Sequence, residues 1–195
     1  GRVTAAQSFH TGALRTHELV EAGGAAGPQV KRVLKAYANE LVAQILPALP
    51  RQKIATLVVM GAGARYAAEQ SEGKVPGPAP RITRVPAAKL AELADRLATQ
   101  SVPSLVKTHK MTYQDAESLA PAVTSIAQTA RALKVRKVHI VQATLRDGLL
   151  REMALRDHRS AGFEEQVIHS ALTMAARYAT DEAHVRNVEA AAVAL

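Results

Sequence analysis

The residues best suited to chemistry in this chain are glycines that follow apolar, strand-like segments. Gly61-Ala62-Gly63-Ala64-Arg65 stands between an apolar run and a helical pattern. Glycines at such a junction let backbone N–H groups approach an anion with no side chain in the way. Arg65 could add charge-assisted hydrogen bonds to the same group. A strand-to-helix turn also needs glycine for steric reasons alone, so both readings stand at this point. Gly12 follows a weaker extended segment, and Thr144-Leu145-Arg146-Asp147-Gly148 follows a third. In that last segment Arg146 could pair with Asp147 or face a ligand. The local pattern favours a helix start, with Thr144 as cap and Asp147 in the first turn.

Other chemistry is thinly represented. The seven histidines are scattered, and none forms an i, i+4 pair with another or a His-Glu-x-x-His motif. A metal site built from this chain alone is not expected. With no cysteine there is no thiolate ligand, no Cys nucleophile and no disulfide framework. Neither a Gly-x-Ser-x-Gly elbow nor a Gly-x-x-x-x-Gly-Lys-Ser/Thr loop occurs, and no self-sufficient catalytic centre is legible.

The elements that must position these residues follow from periodicity. Residues 2–9 read as a weak strand, and a short helix over 13–20 stops at Gly23-Gly24. Pro28 suits a first helical turn. Val30, Val33, Leu34, Tyr37, Leu41 and Ile45 then recur at three- and four-residue steps, which predicts an amphipathic helix ended by Pro47 and Pro50. Residues 53–60 read as a buried strand, 65–70 as a helix, and 74–80 as an exposed Pro/Gly-rich loop. A short edge strand is expected over 81–85, where Pro86 stops pairing. Helix follows to residue 99, with Leu90, Leu93 and Leu97 on one side.

Residues 104–109 form a turn or short helix, and 112–133 a long helix that Pro121 should bend or split. A second firm strand spans 137–141, with helices over 149–154 and 162–178. A last helix starts at Glu182, capped by Asp181 or Thr180. This order predicts an α/β domain with parallel crossovers. Such folds bind ligands beyond the carboxyl ends of strands, where Gly12, Gly61 and Thr144 would share one edge of the sheet.

Composition bounds the setting. The chain has 195 residues, 25 Lys+Arg against 17 Asp+Glu, and a formal charge of +8. That excess suits polyanionic partners, although it also suits an Arg-rich solvated surface. The sparse aromatics offer no platform for stacking bases, so nucleic acid is not the expected partner. No apolar run approaches the roughly 20 residues of a membrane span, and no basic-then-apolar leader opens the chain. A cytoplasmic protein is the expectation. The chain starts without Met at a strand-like Gly1-Arg2-Val3-Thr4 and ends inside a helical pattern at Leu195, as a piece of a longer protein would.

Four segments together resemble the Ppx/GppA phosphatases, which cleave terminal phosphates from polyphosphate or from guanosine pentaphosphate, the nucleotide of the stringent response. Ser8 to Arg15 is similar to their Ser…Gly-Ala-x-Arg segment, and Val58 to Arg65 to their second glycine loop. Met111 to Pro121 stands where they carry an Arg-Ala-Asp helix. Val138-His139-Ile140-Val141 leading into Thr144-Leu145-Arg146-Asp147-Gly148-Leu149 resembles their strand and Ser-Leu-Arg-Glu-Gly-Leu motif. Order and spacing agree across residues 2–155.

The resemblance implies a ribonuclease-H-like lobe of an actin-like fold, incomplete at its N-terminus. Residues 1–158 would be part of the second lobe. Residues 159–195 would be a linker helix and the start of an HD-like helical domain, with His184 at the place of its first histidine. The phosphate hairpin, the catalytic Glu and most ligands of an implied Mg²⁺ would lie outside this chain. Gly12, Gly61, Gly63 and Arg65 are then the candidate phosphate or nucleotide contacts, while Arg15, Arg146 and Asp147 hold the loops. A homodimer is a further implication. Ala62 and Ala64 depart from the family's loop, and Asp115-Ala116-Glu117 lacks its Arg. An alternative reading is therefore a degenerate member that senses polyphosphate or nucleotides without cleaving them.

Overall fold

The computed structural model of the chain describes residues 9, 11–25, 27–49, 54–72, 82–155, 168, 171–172 and 181–194. The expected strand over 2–9, apart from Phe9, and the loop over 74–80 lie outside these residues. The chain divides into two compact units, one of Phe9–Arg151 and one of Gly1–Ser8 with Glu152–Leu195. In order, the first holds α1 (Ala13–Ala22), α2 (Pro28–Ala48), β1 (Leu57–Val59), α3 (Ala62–Glu72), β2 (Ile82–Pro86), α4 (Ala87–Leu97), α5 (Val102–His109), α6 (Tyr113–Ala132) and β3 (Lys137–Val141). Helix α7 (Leu145–Leu155) follows and crosses the division. In the second unit, Ile168, Ala171 and Leu172 are helical, and α8 spans Glu182–Ala194. Asp181 caps α8, its Oδ1 accepting from the N–H of Ala183 at 2.8 Å.

Among the described residues three strands pair in the order β1-β3-β2. β1 pairs parallel with β3, Val59 opposite Ile140, and β2 pairs antiparallel with β3, Val85 opposite Val138. The sheet is thus mixed, not wholly parallel as the element order suggested. The reason is written in β2 itself. Parallel strands are buried on both faces and read as continuous apolar runs, whereas a strand with one solvated face alternates. Ile82-Thr83-Arg84-Val85 alternates: Thr83 and Val85 are buried, Ile82 and Arg84 exposed. Pro86 lies within the ladder, opposite Lys137, and the N–H of Ala87 donates to the Arg136 carbonyl at 3.0 Å.

β1 also departs from expectation. It is three residues long and only half-buried, with Val58 58 % exposed. Its apolar run predicts burial on both faces, but among the described residues α3 and α4 cover the one face that carries Leu57, Val59, Val138, Ile140, Thr83 and Val85. On the other face Arg84 Nε donates to His139 Nε2 at 3.1 Å, a cross-strand pair set by the register.

Helix α6 is the hub, packing against α1, α2, α3, α4 and α5. Its buried stripe of Ala116, Leu119, Val123, Ala127 and Ala130 meets Leu90, Leu93, Ala94 and Leu97 of α4. Alanine at three of these five α6 positions lets the axes come close, as a core with few aromatics requires. The helix runs unbroken through Pro121. Proline there removes one i→i−4 hydrogen bond, and tertiary packing on five neighbours holds the backbone in place. Likewise α2 passes Pro47 and ends at Ala48. A smaller cluster of Val20, Leu34 and Ala98 fastens α1 and α2 to the body, and Asp95 of α4 takes Lys31 and Lys35 of α2, each at 2.8 Å.

Candidate functional site

Two glycine turns meet at one cleft. Gly12 stands at the N-cap of α1, in extended conformation and with no side-chain cap bond. The N–H of Thr16 and its Oγ1 both donate to the Gly12 carbonyl, at 2.9 and 3.0 Å. Gly61 precedes α3 and has φ +120°, a conformation L side chains rarely adopt, so this turn requires glycine. Its carbonyl accepts the N–H of Arg65 at 3.0 Å, which closes the first turn of α3. Thr11, Gly12 and Ala13 form one wall and Met60, Gly61 and Ala62 another, around an open cleft of about 250 Å³.

The electrostatics of the cleft come from backbone. Among the described residues no Asp, Glu, Lys or Arg lines it, and neither α1 nor α3 has an acidic residue in its first turn. The first N–H groups of a helix have no intrahelical acceptor, and the helix dipole places partial positive charge there. Two such ends with glycine caps suit an anion approached through backbone donors. Deeper in, Tyr37, Leu41, Ser125 and Ile126 supply an apolar wall with two hydroxyl tips. Sequence reasoning placed Tyr37 and Leu41 on the packed face of α2 and missed them as cleft residues. An aromatic with a polar tip inside an apolar stripe was the available signal.

The other site residues of the sequence reading fall in different places. Gly63 is buried in the first turn of α3, where a Cβ would stand 2.7 Å from the Cβ of Ala122 in α6. Its glycine therefore serves helix packing as well as lining the cleft. Arg65 is not among the lining residues; its charge acts on Asp147. Thr144 and Asp147 form a reciprocal capping box on α7. Thr144 N and Oγ1 donate to Asp147 Oδ2 at 2.6 and 2.7 Å, and Asp147 N donates to Thr144 Oγ1 at 3.2 Å. Those bonds from Thr144, with the charges of Arg146 and Arg65, hold the Asp147 carboxyl below its ordinary value. The structure thus chooses the capping role at this loop and starts α7 at Leu145, earlier than residue 149. Arg15 is exposed on α1.

Parallel pairing of β1 and β3 puts Gly61 and Thr144 beyond the same end of the sheet, and the cleft brings Gly12 to Gly61. His184 is exposed on α8, and among the described residues no three His, Asp or Glu side chains converge as a metal ligand set would. The cleft lining likewise offers no carboxylate for the Mg²⁺ that the sequence resemblance implies.

Solved structures with a similar fold exist. An exopolyphosphatase from Cytophaga hutchinsonii superposes with a TM-score of 0.62 at 15% identity, covering 75% of this chain and 48% of that one. The Aquifex aeolicus member of the Ppx/GppA family does so with a TM-score of 0.58 at 12% identity, covering 74% of this chain and 48% of its own. This is the fold of the Ppx/GppA structures. A type II variant of the Aquifex aeolicus Ppx/GppA phosphatase gives 0.53 at 14% identity, over 69% of this chain and 45% of that one. The chain spans about half the length of the Ppx/GppA structures it matches. The likeness is one of fold, to the family whose motifs the sequence resembles. No protein-family model and no curated protein matches the sequence. Among the described residues no helix is long and apolar enough to cross a membrane.

Proposed function

We propose that this chain supplies phosphate-binding loops to a cytoplasmic Ppx/GppA-type phosphohydrolase that removes terminal phosphate from polyphosphate or guanosine pentaphosphate. The observation that carries the reading is the convergence of the Gly12 and Gly61 turns on one cleft, in a lobe with the Ppx/GppA fold. Backbone N–H groups at Gly12, Gly61 and Gly63 hold the anionic oxygens, and Arg65 adds guanidinium charge from one turn along α3. Such donors, fixed before substrate arrives, stabilise charge without reorganising. The capping box of Thr144 and Asp147 fixes the start of α7, while Arg146 and Arg15 hold the flanking loops. The water-activating carboxylate belongs to the other lobe of the fold in this reading, and no step is assigned to a metal ion.

The test has two arms. Amide shifts of the full chain titrated with tripolyphosphate should be saturable and centred on Gly12 and residues 61–64. Phosphate release by the longer protein that carries this chain should be measured in parallel on polyphosphate and guanosine pentaphosphate. Shifts with release support the hydrolase. Shifts without release move the reading to a sensor of these polyanions, and shifts absent from both glycine turns overturn it.

A further inference from the structure

A second cleft, of about 310 Å³, opens between α1, α2, the α4–α5 turn and the first half of α6, and it shares no lining residue with the glycine cleft. Its size falls at the lower end of small-molecule sites, which begin at roughly 300 Å³. The floor is apolar: Val20, Leu34, Leu97, Leu105 and Ala116 are all buried. The polar groups are His17, Glu21, Gln100, Ser101 and Glu117. His17 Nε2 lies 3.4 Å from Glu21 Oε1.

Charge decides the class of ligand. In a chain of net charge +8, no Lys or Arg among the described residues lines this cleft, and the acidic side chains among them are Glu21 and Glu117. Glu117 is half-buried and has no hydrogen-bond or ion-pair partner among the described residues. A carboxylate without a partner beside an apolar floor is available as the counterion of a bound cation. Pro121, four residues on, has no N–H, so the Glu117 carbonyl also lacks its usual helical donor. An anion finds little here. The start of α5 lines the cleft, but Ser101 Oγ accepts the Ser104 N–H at 3.4 Å and Pro103 has no N–H.

We infer that this cleft binds a small amphipathic amine, with its hydrocarbon body on the Val20–Leu34–Leu105 floor and its ammonium group on the Glu21 and Glu117 carboxylates. The site is separate from the phosphate reading and does not depend on it. Its test uses the full chain, methyl-labelled on Ala, Leu and Val, titrated with n-hexylamine, n-hexanol and hexanoate. Saturable shifts at Val20, Leu34, Leu105 and Ala116 are expected with hexylamine. Hexanol should bind about tenfold more weakly and hexanoate more weakly still, since one charge-assisted contact is of that size. Glu21→Gln with Glu117→Gln should bring hexylamine down to the hexanol level and leave hexanol unchanged. Both positions are solvent-accessible, so the fold is expected to survive. Equal affinity for amine and alcohol, insensitivity to the double substitution, shifts centred elsewhere, or no saturable shift would each overturn the assignment.

Discussion

At the residue scale, two positions show how one atom constrains the site. Gly63 lets α3 rest on α6, since an added Cβ would sit 2.7 Å from that of Ala122. Gly63→Ala is expected to cost about 1–3 kcal/mol by overpacking. Ala122→Gly alone costs roughly 1 kcal/mol through helix propensity. The pair together should lose less than the sum, because the second change removes the clash. Urea midpoints of the four proteins measure that coupling, and additive losses would show that α3 moves aside instead. Asp147 makes the other case. Hydrogen bonds from Thr144, aided by Arg146 and Arg65, hold its carboxyl below the ordinary 3.8. A carboxyl lowered in the folded state contributes stability above its unfolded value and loses it as pH falls through the folded one. The first turn of α7 should therefore stay ordered at neutral pH and loosen only below about pH 4. Amide exchange at Thr144 and Asp147 checks this, and Asp147→Asn should exchange fast at every pH.

At the element scale, helix ends show the same motif written twice with different residues. In α1, Gly24 N donates to Glu21 O at 2.9 Å and Ala25 N to Val20 O at 3.3 Å. In α6, Lys134 N donates to Arg131 O and Val135 N to Ala130 O, both at 3.1 Å. Both are Schellman ends, which place one residue in the left-handed region. α1 uses Gly24 there with φ +63°, and α6 uses Lys134 with φ +55°. The lysine bears a steric cost that glycine does not, partly offset by the greater freedom of glycine when unfolded. Lys134→Gly is expected to stabilise the protein by about 0.5–1 kcal/mol. A rise in thermal midpoint measures it, and a fall would mean that the Lys134 side chain makes a contact outweighing its strain.

At the scale of the molecule, stability concentrates in the core that α4 shares with α6 and the sheet. Leu90, Val123, Val138 and Ile140 are wholly buried at that junction. Leu90→Ala should cost about 2–5 kcal/mol, the range for a buried leucine whose cavity does not collapse. Its urea midpoint should fall with little change in slope. Ala120→Ser, on the half-buried edge of α6, should cost far less. The same junction holds the N-terminus of α3 and thus the Gly61 turn, so the cleft rests on the most buried part of the protein.

Much of this was legible from residue order. Periodicity alone located α4 with Leu90, Leu93 and Leu97 inward, β3 at its observed bounds, and the Thr144–Asp147 capping box. These features depend on interactions within a few residues, which sequence spacing encodes directly. The direction of β2, the exposure of Val58 and the passage of α6 through Pro121 were not legible in the same way. Each depends on a distant partner: β3 for the ladder, the helices that cover only one sheet face, and five neighbours that hold a helix missing one bond. The site divides along the same line. Glycine and a strand-to-helix switch marked the Gly12 and Gly61 turns in the sequence. Their sharing of one cleft and the second duty of Gly63 against Ala122 arise only when α1, α3 and α6 pack. Local chemistry is written residue by residue, whereas convergence is a property of packing, where contacts far apart in the chain decide which surfaces meet.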